Sequence, residues 1–248
     1  MVQAKIALIT QLAFFTLGIH AVKAQAPVAN SKQIKEQVTN SFGGWNNWNE
    51  ARYIFYSAVG NNNPALSNSE RTFLLDKESG KCRFEGVLNT KEAVVYLFNF
   101  KRTEGGKLFI NNKEEHAIHS DIEAAIVNQL VKDCKLLFIP VAAAAKHTQI
   151  TESSSKIINS EKVNIIQVNN LLTLDNKTWQ ASLTLNNKGQ VQQVANPTNQ
   201  YNLSHGSDIG GGVFLFKSYT NINDPKQSLR FNSIAALTSV DTAKFSTL

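Results

Sequence analysis

Asparagine runs punctuate this chain. Asn61-Asn62-Asn63, Asn111-Asn112, Asn169-Asn170 and Asn186-Asn187 each stand beside short stretches of aromatic and β-branched residues. Asn tolerates the left-handed conformation of tight turns, so a chain interrupted this often is built from many short strands rather than a few long helices. The sequence carries 27 Asn among 248 residues, with 42% apolar and 18% charged, which supplies a core and excludes wholesale disorder. Beyond the first two dozen residues no uninterrupted apolar run approaches the roughly 20 residues of a membrane-spanning helix.

Residues 1–24 read as an export signal: Lys5 gives the positive start, Ile6 to Ile19 the apolar stretch, and Val22-Lys23-Ala24 the small-residue cleavage site. An anchor helix is disfavoured because the stretch is short, is broken by Thr10, Gln11 and Thr16, and runs into His20 and Lys23. No Cys follows within reach of the cleavage site, so no lipid anchor is expected and the mature chain starts near Gln25. Losing Lys5 and Lys23 leaves 23 basic against 19 acidic residues, dispersed rather than clustered, and no nucleic-acid partner is expected.

Helical spacing occurs in two places. Ile34, Val38 and Phe42 share one face of a predicted helix over 31–42, which Gly43-Gly44 ends. Trp45 and Trp48, three apart in the short turn that follows, read as cover for the core. A second helix is predicted over 120–133, with Ser120 as N-cap, Asp121 and Glu123 in the first turn, and Ile122, Ile126 and Leu130 on one face. The apolar run Leu136 to Ile139 then stops at Pro140. Strands are expected over 52–59, 71–76, 81–87, 93–100, 107–110, 156–159, 163–168, 178–185, 190–194, 212–219 and 228–237. Lys77-Glu78-Ser79-Gly80 and Asn186-Asn187-Lys188-Gly189 are hairpin turns. With no linker and no repeat, residues 25–248 are expected to form one domain.

Chemistry is sparse. His116 and His119 lie three apart beside Glu114 and Glu115, but no third ligand is evident, so neither a metal nor a cofactor is expected. Gly210-Gly211-Gly212 leads into a strand rather than a helix, which reads as a flexible lead-in and not a phosphate cradle. No activating setting surrounds any Ser or Cys, so an enzyme is not expected. Cys82 and Cys134 fit either one disulfide or two buried thiols. In the strand at 93–100, Val94, Tyr96, Phe98 and Phe100 share one face while the other carries Val95 and Leu97. Strands apolar on both faces favour an open apolar cavity over a self-filled sheet, which would alternate more cleanly. Most of Phe55, Phe73, Phe84, Tyr96, Phe98 and Phe100 are therefore expected to line a concave side. The helix bearing Ile122, Ile126 and Leu130 is either a lid over its mouth or one wall of a filled core.

Four segments, in order, resemble the exported family of the outer-membrane lipoprotein carrier LolA. Phe42-Gly43-Gly44-Trp45-Asn46-Asn47-Trp48-Asn49-Glu50-Ala51-Arg52 is similar to its Gly-Gly-Trp-x-x-Trp-x-x-x-Arg opening, and Leu75 to Glu85 to its hairpin. Leu136-Leu137-Phe138-Ile139-Pro140 resembles its Leu-x-x-Pro element, and Val240-Asp241-Thr242-Ala243-Lys244-Phe245 its tail. The resemblance implies an α+β fold, an incomplete antiparallel β-barrel wrapped over a few helices. It also implies a periplasmic, non-enzymatic carrier that accepts an acyl chain of a lipid or lipoprotein, acts as a monomer and meets the membrane only transiently. A structural or interaction module with a self-filled core is the alternative.

Overall fold

In the computed structural model, residues 30–61, 63–102, 105–117, 119–158 and 160–248 are described, and the segment read as an export signal lies outside them. Two helices open the described chain, α1 (Ser31–Ser41) and α2 (Gly44–Glu50). A meander follows: β1 (Tyr53–Gly60), β2 (Arg71–Asp76), β3 (Lys81–Val87), β4 (Ala93–Asn99), β5 (Lys107–Ile110) and β6 (Lys113–Glu115). Next come α3 (Ser120–Leu137) and α4 (Ile139–Ala144). A second meander comprises β7 (Gln149–Ile158), β8 (Glu161–Leu172), β9 (Thr178–Leu185), β10 (Val191–Ala195), β11 (Gln200–Asp208), β12 (Phe214–Asn221) and β13 (Leu229–Leu237).

All 13 strands belong to one antiparallel sheet, ordered β6-β5-β4-β3-β2-β1-β13-β12-β11-β10-β9-β8-β7. The sheet is not closed into a barrel, so the fold is α+β with a half-open sheet and the helices held against one face. Its two edges, β6 and β7, are joined in sequence by α3 and α4. The first and last strands meet mid-sheet, where Tyr53 pairs with Leu237 and Tyr56 with Ile234.

The hairpin turns follow from local side-chain chemistry. Asp76 Oδ1 accepts from the backbone N–H of Glu78 (2.9 Å) and Ser79 (3.1 Å), and Gly80 takes the left-handed position at φ 79°. Burial would raise the Asp76 carboxyl, but the Arg52 side chain (2.8 Å) and these N–H groups hold it well below the usual aspartate range. Asn186 Oδ1 likewise accepts from the N–H of Lys188 (3.0 Å) and Gln190 (2.9 Å).

Several expectations change. Ser120 is the first helical residue rather than the cap; His119 holds that place, and Ser120 Oγ donates to Asp121 Oδ1 at 3.1 Å. Pro140 does not end the apolar run but sits in the first turn of α4, where a missing N–H costs nothing. The Gly210-Gly211-Gly212 segment is a tight turn rather than a loose lead-in. All three glycines have positive φ, and a Cβ on Gly43 would lie 1.8 Å from the Gly212 carbonyl oxygen. Asn47 Nδ2 donates to the carbonyls of Gly43 (2.9 Å) and Gly212 (3.4 Å), which fixes α2 against the start of β12.

Candidate functional site

The register stacks large inward side chains across the first meander: Ile234, Tyr56, Phe73, Phe84, Tyr96 and Leu108 stand on successive strands. Ring centroids are 5.3 Å apart for Tyr56 and Phe73 and 4.9 Å for Phe73 and Phe84, and all three residues are fully buried. Phe73 and Phe84 therefore belong to a filled core, each burial stabilising by about 1.5–3 kcal/mol. Tyr96, Phe98 and Phe100 instead line a cavity of about 490 Å³ with Glu123, Ala124, Val127 and Asn128 of α3. Its rim carries Lys101, Arg102 and Asp175, so its chemistry is mixed.

Phe55 does not join them. Ile54 and Tyr56 point inward and are fully buried, so the pleat turns Phe55 to the opposite face. There it lines a groove with Thr72, Leu74, Arg83 and Lys244. The tail returns over this outer face: Phe245 stacks on Tyr53 at 6.0 Å, and Arg83 donates to the carbonyls of Lys244 (3.1 Å) and Thr247 (2.7 Å). Part of the apolar character on the second face of these strands thus serves the tail rather than a cavity.

α3 buries Ile126 and Leu130 completely, and Ile122 partly, in the shared core. It also carries a buried polar bolt. Arg71 of β2 donates to both carboxylate oxygens of Asp133, at 2.8 and 2.6 Å. Gln129 Nε2 donates to Asp133 Oδ1 (2.8 Å) and to the Asn61 carbonyl (3.2 Å), while Gln129 Oε1 accepts from Asn63 N–H (2.6 Å). Burial raises the Asp133 carboxyl, and Arg71, Gln129 and Tyr56 pull it back down. Removing one partner of such a pair costs about 3–5 kcal/mol, so the pair ties this end of α3 to β2. Cys82 and Cys134 are both buried free thiols, and burial pushes both well up.

A strongly apolar cavity lies elsewhere, where α2, the joint between α3 and α4, and the turn after β8 come together. It has a volume of about 300 Å³ and is lined by Trp45, Trp48, Phe138, Val141, Leu172 and Leu174, with Cys134, Lys135 and His147 among its few polar groups. The rings are held in place: Trp48 meets Phe138 edge-on at 5.3 Å, and Trp45 meets Phe42 edge-on at 5.5 Å. The Lys77 ammonium sits 3.9 Å over the Trp48 ring and donates to the Trp48 carbonyl; burial lowers its pKa to about 8. Leu172 remains 40% exposed, so this apolar lining reaches solvent.

Trp45 and Trp48, expected only as cover, are thus walls of the apolar cavity. Phe138, Leu172, Leu174 and Lys135 were not foreseen as site residues. The available signal was the Leu171-Leu172-Thr173-Leu174 run, which stays apolar past the end of β8. Among the described residues no three His, Cys, Asp or Glu groups converge to hold a metal, and no helix is long and apolar enough to cross a membrane.

No protein-family model and no curated protein matches this chain. Among solved structures, it is similar to a DUF1329 family protein from Desulfovibrio piger, with TM-score 0.44 and 9% identity over 89% of this chain and 97% of that one. It is also similar to MucB, with TM-score 0.23 and 10% identity over 89% of this chain and 64% of that one. At such distances the site has to be read from its own geometry.

Proposed function

We propose that this protein is a periplasmic, non-enzymatic binding or carrier protein that holds an acyl chain of a lipid or lipid-modified partner. The observation that carries this reading is the cavity walled by Trp45, Trp48, Phe138, Leu172 and Leu174, whose volume of about 300 Å³ meets the lower bound of small-molecule sites. The sequence resemblance to the LolA family supports the same reading, and residues 1–24 support export. At the far end of β7, Ile157 is 78% exposed and Ile158 45% exposed, an apolar spot that suits brief contact with a membrane surface.

The test is uptake of a fluorescent fatty acid, with native mass spectrometry of the purified protein as a second readout. Wild type takes up the probe and Trp48→Ala loses most of it, whereas Phe55→Ala, altered on the opposite face, keeps it. Absence of any bound or acquired chain in wild type sinks the carrier reading. The fully buried Phe73 and Phe84 favour a second reading, a self-filled interaction module, and that outcome would select it.

A further inference from the structure

Beside the apolar cavity, also against α3's second half, lies a larger one of about 530 Å³ with a different lining. Lys132 and Lys135, three apart and so on one side of the helix, form one wall with Leu136. Trp179, Val194 and Tyr201 from β9, β10 and β11 form the floor. Lys226, in the 3₁₀ turn Pro225–Gln227 between β12 and β13, closes the far side with Asn196 and Asn199.

Lys132, Lys135 and Lys226 all line this cavity, and Asp175 and Asp224 already have partners. Asp175 pairs with Lys177 at 2.8 Å. Asp224 caps its 3₁₀ turn, accepting from Lys226 N–H (3.1 Å) and Gln227 Nε2 (3.0 Å). Among the described residues no carboxylate forms an ion pair with Lys132, Lys135 or Lys226. Lys135 lies 4.1 Å over the Trp179 ring, and burial lowers its pKa while Asp175 raises it. An anion seated among several cations is attracted by all of them. Lys135 also lines the apolar cavity, so it is common to both spaces.

We infer that the two cavities form one bipartite site for an anionic amphiphile: the chain lies against Trp45, Trp48 and Phe138, and a phosphate or carboxylate head lies among Lys132, Lys135 and Lys226. This inference rests on the acyl-chain reading above and adds the class of ligand. The head's negative charge is what distinguishes the ligand from a neutral chain of equal length. Its recognition weakens with salt, because Lys132 and Lys226 are exposed.

The experiment titrates the full chain with dodecyl phosphate, dodecanol and inorganic phosphate, following tryptophan fluorescence and heat. Wild type is expected to bind dodecyl phosphate roughly tenfold or more tighter than dodecanol, the effect of about one charge-assisted hydrogen bond. The double variant Lys132→Gln, Lys226→Gln should lose most of that preference while its affinity for dodecanol and its melting temperature stay as in wild type. Equal affinity for the two chains in wild type overturns the inference and leaves the acyl-chain reading standing. Binding of neither chain removes both. Tight binding of inorganic phosphate without any gain from the chain also overturns it, by making the lysine cavity a separate anion site.

Discussion

The two meanders of this sheet use their inner faces differently. From β1 to β4 the inward positions carry Tyr56, Phe73, Phe84 and Tyr96 in one cross-strand row, and beneath Phe73 and Phe84 the space is filled. From β7 to β10 the strands carry a single aromatic, Trp179, and their inward positions are aliphatic, such as Ile166, Leu183 and Val194. On that side the second half of α3 borders the apolar and lysine-lined cavities. The aromatic row is filled at Phe73 and Phe84 and opens only at its Tyr96 end, whereas the aliphatic strands of the second meander border both the apolar and the lysine-lined cavities.

The largest test of this contrast compares one deletion in each region. Phe84→Ala removes a fully buried ring and is expected to cost about 3–5 kcal/mol, whereas Leu174→Ala, half-buried at the cavity wall, should cost below about 1 kcal/mol in urea melts. Similar losses would erase the difference between the meanders.

A smaller effect sharpens the boundary between them. Phe98 lines the mixed cavity against α3, so Phe98→Trp has room to expand and should shift stability by less than about 1 kcal/mol, against the 1–3 kcal/mol typical of overpacking. A loss at the upper end would place Phe98 with the filled row.

A third test concerns the turns. Asp76 and Asn186 make the same kind of backbone bonds, but only Asp76 titrates. Its carboxyl is held below the ordinary value of 3.8, so the unfolded chain takes up a proton more readily than the folded one. The stability Asp76 contributes is thus fully present above that value and lost as the pH falls below it. Asp76→Asn should flatten this acid slope, at a cost of about 1–3 kcal/mol near neutrality for the altered hydrogen bonds. An unchanged slope would show that Asp76 is not its source.

Much of the first meander was legible because its periods are local: β2, β3 and β5 lie where alternation and turn residues put them, as does β9 in the second meander. β11 escaped because Tyr201 and Leu203 alternate with Asn, Ser, His and Gly, which reads as a loop until β10 and β12 supply its partners. β6, three charged residues at an edge, has no apolar signal at all. Alternation alone does not fix the face of Phe55, because β1 is apolar on both sides and its outer face is covered by the returning tail. The apolar cavity was hidden for another reason. Its walls come from α2, the joint after α3 and the turn after β8, and no periodicity along one segment announces a meeting of three.

The pairing of β1 with β13 also governs how this molecule comes together. Each meander can zip from neighbouring hairpins, but joining them requires Tyr53 to find Leu237 across nearly the whole described chain. Contacts of such long sequence separation are slow to form, because the loop-closure entropy is lost before any reward arrives. Until that junction forms, β1 is an unpaired strand edge in the middle of the future sheet, open to pairing with other chains. Formation of this junction is therefore expected to be a late step. A variant that weakens the Leu229–Leu237 strand is expected to leave the junction open and raise aggregation during refolding.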